Sequence, residues 1–267
     1  MAAKINGPTP PYLGVSSEKD ILRERTALAT GRKSVCSAAT PFFHTQRVSM
    51  KKLPVPLFAF LFSLVLLASA SAADHAAPAV SPDDALTRLK IGNHRFASSS
   101  MSESKPTAAR RAATSGGQHP FAIIVGCADS RTAPEIIFDQ DIGDLFVVRT
   151  AGNLVDDYAL GSIEYAVAHL GPRLIVVLGH QNCGAVQAAL SGGDAPGHIH
   201  SLVHAIQPAV DAARGKPGDP LANAIHENDA LVAEKIRHKA RFGDLAAQVR
   251  VVEGYYDLHT GRVEWAR

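Results

Sequence analysis

Three apolar runs near the middle of the chain lack any polar alternation: Phe121-Ala-Ile-Ile-Val-Gly126, Leu145-Phe-Val-Val148 and Leu174-Ile-Val-Val-Leu178. A strand with one wetted face alternates apolar and polar side chains, so unbroken runs of this length predict strands covered on both faces. Between the last two runs, Leu160, Ile163, Tyr165, Val167 and Leu170 recur at helical spacings and Gly171 supplies a stop. Strand, helix and strand in this order imply a parallel sheet. Residues 249–258 read as a further strand, followed by a Thr260-Gly261 turn. The pattern predicts an α/β fold: a mostly parallel sheet of four strands plus a C-terminal edge strand, flanked by helices, with an N-terminal helical arm.

That arm begins at Ser81-Pro82-Asp83-Asp84. A serine cap, a proline at the first helical position and acids against the positive end of the dipole mark a helix start. Leu86, Leu89, Ile91 and Phe96 give the helix one apolar face, and residues 98–107 follow as a polar arm. Residues 185–190 open another helix and residues 191–197 form a loop. Residues 201–213 and 221–242 are helical by pattern, the first interrupted by Pro208. No internal repeat or low-complexity tract occurs in residues 74–267.

Upstream, the pattern changes. From Met50 the chain runs Met-Lys-Lys-Leu-Pro-Val-Pro-Leu-Phe-Ala-Phe-Leu-Phe-Ser-Leu-Val-Leu-Leu-Ala-Ser-Ala-Ser-Ala. A basic start, an apolar middle and small residues at the end are the layout of a secretory signal peptide, with cleavage after Ala72 the natural choice. A membrane anchor is the alternative. The apolar stretch over residues 53–68 spans 16 residues with two prolines, below the roughly 20 that a spanning helix needs. Residues 1–49 are polar, basic and aperiodic, and a signal peptide belongs at a true N-terminus. The expected division is a non-native disordered extension over 1–49, a signal peptide over 50–73, and one functional domain over 74–267, placed in the periplasm or otherwise exported.

Composition shifts with that division. The whole chain of 267 residues is 46% hydrophobic and 19% charged with a formal charge of +2. Residues 1–73 hold nine of the Lys/Arg and three of the Asp/Glu, which leaves 18 basic and 22 acidic residues beyond them, formally −4. No basic patch then argues for nucleic acid, and none for an anionic membrane once the signal segment is cleaved. Cys36 lies in the extension, so the domain has only Cys127 and Cys183. In an exported protein two cysteines suggest a disulfide. Their setting points to metal instead.

Cys127 ends the first apolar run, and His180-Gln-Asn-Cys183 follows the third. Two thiols and an imidazole are the donor set of a Cys2His zinc site with a fourth position left for water or substrate. Ligands of open parallel sheets bind beyond the carboxyl ends of strands, which is where these residues fall. A helix starting after Cys183 would favour its thiolate through the dipole. Asp129 and Arg131 lie two and four residues past Cys127. A carboxylate so placed either ligates the metal or stands just behind the ligands, and Arg131 can hold it back from the metal. Two thiolates cancel the formal +2 of zinc, so a bound water is acidified less than in an all-histidine site of roughly pKa 7. Activity is expected to rise with pH through the neutral to alkaline range.

Cys127-Ala-Asp-Ser-Arg131, Val148-Arg-Thr-Ala-Gly-Asn153 and Gly179-His-Gln-Asn-Cys-Gly184 together resemble the signature segments of the beta class of carbonic anhydrases. The resemblance extends over about residues 85–263, and Leu89 to Phe96 looks like the N-terminal helix of that family. It implies zinc on Cys127, His180 and Cys183, one ion per subunit, and a catalytic dyad of Asp129 and Arg131. It implies reversible hydration of carbon dioxide to bicarbonate and a proton by zinc-bound hydroxide. Gln118, Phe146 and Tyr165 fall at positions similar to the substrate pocket of the plant-like subgroup, with Gly184 shaping the same site. A second subgroup closes its site with a ligating aspartate and a bicarbonate site containing tryptophan; the single tryptophan here, Trp265, lies at the C-terminus, which favours the open form. The family resemblance further implies a homodimer or a dimer of dimers, in which N-terminal helices wrap the partner and some pocket residues cross the interface. His198, His200, His204 and His226 are candidate proton shuttles. Two other readings stay open at this point: a carbon disulfide or carbonyl sulfide hydrolase on the same scaffold, and a noncatalytic zinc or redox module.

Overall fold

The computed structural model describes residues 80–102, 107–192 and 195–266. The proposed extension, the signal segment and Cys36 lie outside the described residues. Five strands form one sheet: β1 (Ala122–Cys127), β2 (Leu145–Thr150), β3 (Leu174–His180), β4 (Arg250–Tyr256) and β5 (Val263–Trp265), in the order β2-β1-β3-β4-β5. The first four are parallel and β5 is the antiparallel edge strand. Seven α-helices accompany them among the described residues: α1 (Pro82–Ala97), α2 (Ala108–Thr114), α3 (Pro134–Ile137), α4 (Asp157–Tyr165), α5 (Gly184–Ser191), α6 (Ile199–Ala213) and α7 (Pro220–Lys239).

For β1 and β3 the absence of alternation has the predicted cause, whereas β2 lies at the sheet edge and only Leu145 of its run is buried. Ile123 and Val125 on β1, with Ile175 and Val177 on β3, face one layer made of Ile163, Val232, Ala233 and Ile236. Ala122 and Ile124, with Leu174, Val176 and Leu178, face the other, made of Leu86, Leu89, Ile137 and Phe138. Successive side chains point to opposite faces, and both faces are dry. Fully burying each Ile or Leu contributes about 1.5–3 kcal/mol, so these two central strands anchor the fold. A third cluster lies past the strand ends, where Val186, Ala189, Ile206, Val210, Ala224 and Ile225 surround Cys127 and Cys183.

Helix α1 is capped as its sequence suggests, with the Ser81 hydroxyl accepting from the Asp84 N–H at 3.1 Å. Its apolar face is narrower than the periodicity implies: Leu86 and Leu89 are buried, Phe96 is partly buried, and Ile91 is 53% exposed. Ile91 falls two residues past Leu89, which turns it away from the sheet. The helix is fixed by Asn93, which donates to the carbonyls of Ile137 and Gly261 and accepts from the Val263 N–H. Beside it, a Cβ at Gly92 would lie 1.8 Å from the Phe138 carbonyl oxygen. Gly92→Ala is therefore expected to destabilise the protein by about 1 kcal/mol or more, because the backbone clash outweighs the helix-propensity gain of about 1 kcal/mol. Urea unfolding checks this; unchanged or raised stability would mean that α1 does not dock on Phe138.

Three elements were not visible in the periodicity. Helix α2 buries no residue and is held instead by its Thr107 cap and by Arg110, which donates to the Ile142 carbonyl and pairs with Asp144 at 2.6 Å. Helix α3 has four residues, and a 3₁₀ turn covers Gly243–Gln248. The helix expected between the second and third apolar runs is α4 followed by a π-helical turn over Ala166–Leu170, ended by Gly171 at φ 97°. The expected strand over 249–258 is shorter, and β5 follows the turn. No helix among the described residues is long and apolar enough to cross a membrane.

Candidate metal centre

Two strand ends deliver the donors. Cys127 is the last residue of β1 and His180 the last of β3, neighbours in the sheet. Asn182 takes a left-handed φ of 55°, turning the chain so that Cys183 caps α5. The Sγ atoms and one imidazole nitrogen lie within 4.8 Å of one another, and all three residues are buried. Both thiols are free.

The histidine shows what the cluster can hold. Its Nδ1 is 2.9 Å from the Gln181 carbonyl, which can only accept, so Nδ1 carries the proton. Nε2 then presents a lone pair, and it is buried with no partner. An acceptor stranded in an apolar pocket costs free energy unless a ligand meets it. Two free thiols beside it complete a Cys2His set, and zinc fits these residues.

The protein also favours sulfur as an anion. The Cys127 thiol is held well below its usual range, first by the hydrogen bond from Cys183, against burial, and then by the N–H groups of Asp129 and Gly152. Cys183 is pushed up by that same shared proton and by burial, although the N–H groups of Val186 and Ala185 at the start of α5 pull the other way. The pair therefore holds one thiolate readily, on Cys127, and a metal ion would displace the remaining proton.

Asp129 and Arg131 form a two-pronged pair: Arg131 Nε donates to Oδ1 at 2.9 Å and Nη2 to Oδ2 at 2.7 Å, with the Arg131 backbone N–H also on Oδ1. The arginine holds the Asp129 carboxyl well below the usual carboxylate range. Its Oδ2 lies 4.0 Å from His180 Nε2, so the carboxylate borders the point on which the donors converge. Arg149, inside the Val148–Asn153 segment but without a role inferred from sequence, donates to the carbonyls of Cys127 at 2.8 Å and Asp129 at 2.5 Å. Thr132 caps the same turn from its hydroxyl.

Beneath the site lies a second missed group. The Gly152 N–H donates to Cys127 Sγ at 3.3 Å, and Asn228 and Asp229 of α7 bond to the Gly152 carbonyl and to the Asn153 side chain. Asp229 is 2% exposed, and burial pushes its carboxyl well above the usual range. The available signal was a polar pair on the buried stripe of α7, among Ala224, Ile225, Val232 and Ala233.

The remaining site residues fall elsewhere. Gln118 is exposed in the segment before β1, and Gly184 opens α5 next to Cys183. Phe146 pairs with Ile123, four residues before Cys127 or roughly 13 Å along the strand. Tyr165 is 51% exposed at the end of α4, its ring 5.1 Å from that of His169. Within one chain, Phe146 is thus set apart from the metal ligands. His198, His200, His204 and His226 are all exposed, with His200 stacked on His204 and His226 against Tyr255. Trp265 packs on Phe138, under the Lys90 ammonium.

The chain is similar to several known proteins. A family model described as "Carbonic anhydrase" matches residues 122–263. A carbonic anhydrase of Mycolicibacterium smegmatis is 42% identical over 194 residues, 70% of this chain and 94% of that protein. Among solved structures, a beta-carbonic anhydrase of Coccomyxa, in complex with acetazolamide, aligns with a TM-score of 0.54 at 28% identity, covering 58% of this chain and 75% of that one. One of two tetrameric beta-carbonic anhydrases of Sordaria macrospora aligns with a TM-score of 0.52 at 28% identity, covering 57% and 82%.

Proposed function

The chain belongs to the beta class of the carbonic anhydrase family, and on that footing we propose that it interconverts carbon dioxide and bicarbonate at the Cys127, His180 and Cys183 centre. The observation that carries this reading is the buried, unpartnered Nε2 of His180 facing two free thiols, with an ionised aspartate at its edge. Bound there, zinc supplies Lewis acidity that lowers the pKa of a water molecule. Asp129 stays ionised because Arg131 occupies both of its oxygens, and its remaining lone pairs accept a hydrogen bond at the mouth of the site. Arg131 also ties the carboxylate back from the donors, which supports the constitutively open form. Arg149 and Thr132 hold the turn that carries both Cys127 and Asp129, so the ligand and the acceptor keep one spacing.

Pocket residues complete the proposal. Gln118 orients substrate through its amide, Gly184 shapes the floor, and Phe146 and Tyr165 line the apolar wall of a neighbouring subunit's site. The separation of Phe146 from the ligands of its own chain, and the exposure of Tyr165, support contribution across a homodimer or a dimer of dimers. The tetrameric relative in Sordaria macrospora supports assembly as well. The layout of residues 50–73 supports export to the periplasm after signal cleavage. N-terminal sequencing of the protein recovered from its native cells checks this, with an intact Met50 or an upstream residue as the contrary result.

Stopped-flow assays with carbon dioxide and with carbonyl sulfide test the reaction. Carbon dioxide is expected to turn over at least about 100-fold faster than carbonyl sulfide, as the likeness to carbonic anhydrases supports. Negligible hydration of carbon dioxide beside rapid release of hydrogen sulfide would overturn the assignment.

A further inference from the structure

We propose that Asn228 and Asp229 of helix α7 are positioning residues for the metal ligand Cys127, acting through the Gly152 turn; the proposal rests on the reading of Cys127, His180 and Cys183 as a zinc site. A polar pair on the buried stripe of a helix is costly unless its atoms are bonded. Neighbouring positions on that stripe, Ile225, Val232, Ala233 and Ile236, are apolar. The pair has a specific target. Asn228 Nδ2 donates to the Gly152 carbonyl at 2.9 Å, and Asp229 Oδ1 accepts from Asn153 Nδ2 at 3.0 Å. Both bonds thus go to two consecutive residues in the left-handed region, Gly152 at φ 68° and Asn153 at φ 43°. The left-handed region is strained for a non-glycine residue and persists only where surrounding structure enforces it.

What the enforced turn accomplishes is local: it aims the Gly152 N–H at Cys127 Sγ, 3.3 Å away and buried. A hydrogen bond to that sulfur fixes its direction as it faces the other two donors. The Asp229 carboxyl also reaches the second ligand-bearing strand. It lies so close over Gly179 that a Cβ there would be 2.0 Å from Oδ2, and Gly179 immediately precedes His180. One carboxyl is therefore wedged between the turn behind Cys127 and the strand that carries His180. Partners of this kind around a metal site change metal affinity or activity by about 10–100-fold when removed.

The test measures zinc affinity by competition with a chelator of known affinity, and the visible absorption of the cobalt-substituted protein, on the full chain. Asn228→Leu and Asp229→Leu are expected to weaken zinc binding about 10–100-fold and to shift the cobalt bands. Asp229→Asn keeps an acceptor for Asn153 and is expected to stay within about threefold of the native affinity. Val232→Ala, one turn along the same buried stripe, controls for stability alone: it should lower the melting temperature and leave zinc affinity and the cobalt spectrum unchanged. Native affinity and spectrum in Asn228→Leu would overturn the proposal even if Asp229→Leu does not fold. So would a loss in Asp229→Asn as large as in Asp229→Leu, or a loss of affinity in Val232→Ala in proportion to its lost stability. Native protein that binds zinc tightly and fails to hydrate carbon dioxide would refute the assigned reaction and leave this proposal standing.

Discussion

Replacing His180 with alanine is expected to leave the protein essentially without zinc and to lower kcat/KM for carbon dioxide hydration by more than the roughly 100-fold that loss of an outer partner costs. The imidazole brings the only nitrogen to the cluster, and its Nδ1 is already committed to the Gln181 carbonyl. No other described side chain offers a nitrogen there: the adjacent Arg131 is a cation with no lone pair to donate, paired with Asp129 through Nε and Nη2. Alanine at 180 also leaves a void at a 1% exposed position, so thermal stability should fall together with metal content. Metal analysis and stopped-flow kinetics on the variant read both consequences. A variant that retains one zinc per chain and native rate would show that the donors lie elsewhere.

The second large effect concerns the acid. Asp129→Asn preserves size and one acceptor oxygen but removes the charge that Arg131 is paired with, and kcat/KM should fall about 10²–10⁴-fold. Arg131→Ala should give a smaller loss with a different pH signature. Arg131 is the main cause of the lowered Asp129 pKa, so its removal lets the carboxyl return toward the usual range of roughly 3.9. The sign for stability follows. A carboxyl whose folded pKa is depressed contributes stability that is complete above its unfolded pKa and is lost as pH falls toward the folded one. The native protein should therefore lose this contribution below about pH 4, and Arg131→Ala should lack most of it at every pH. Acid unfolding curves that superimpose for the two proteins would contradict the pairing.

Much of this molecule is legible in its sequence. Unbroken apolar runs identified β1, β2 and β3; both faces of β1 and β3 are dry, whereas β2 is a partly buried edge strand, and residues at the ends of β1 and β3 were the natural ligands. What escaped had no periodic signal. Helix α2 buries nothing, so its sequence has no apolar face to show, and only the Thr107 cap and the Arg110 ion pairs define it. Ile91 matched the helical spacing loosely and points to water. Arg149, Asn228 and Asp229 act through backbone carbonyls and a turn remote in sequence, 76 residues away for the Asn228 and Asp229 bonds, and such pairings emerge only when the chain is folded. Phe146 and Tyr165 illustrate another limit, since their proposed role needs a second copy of the chain.

The measurement that bears most directly on the account is carbon dioxide hydration by the purified protein as isolated, after zinc is stripped with a chelator, and after one equivalent of zinc per chain is restored. Hydration should be present, disappear with the metal and return with it. Hydration that persists in zinc-free protein, or its absence from protein carrying one zinc per chain, would contradict the assignment of Cys127, His180 and Cys183 as the working centre.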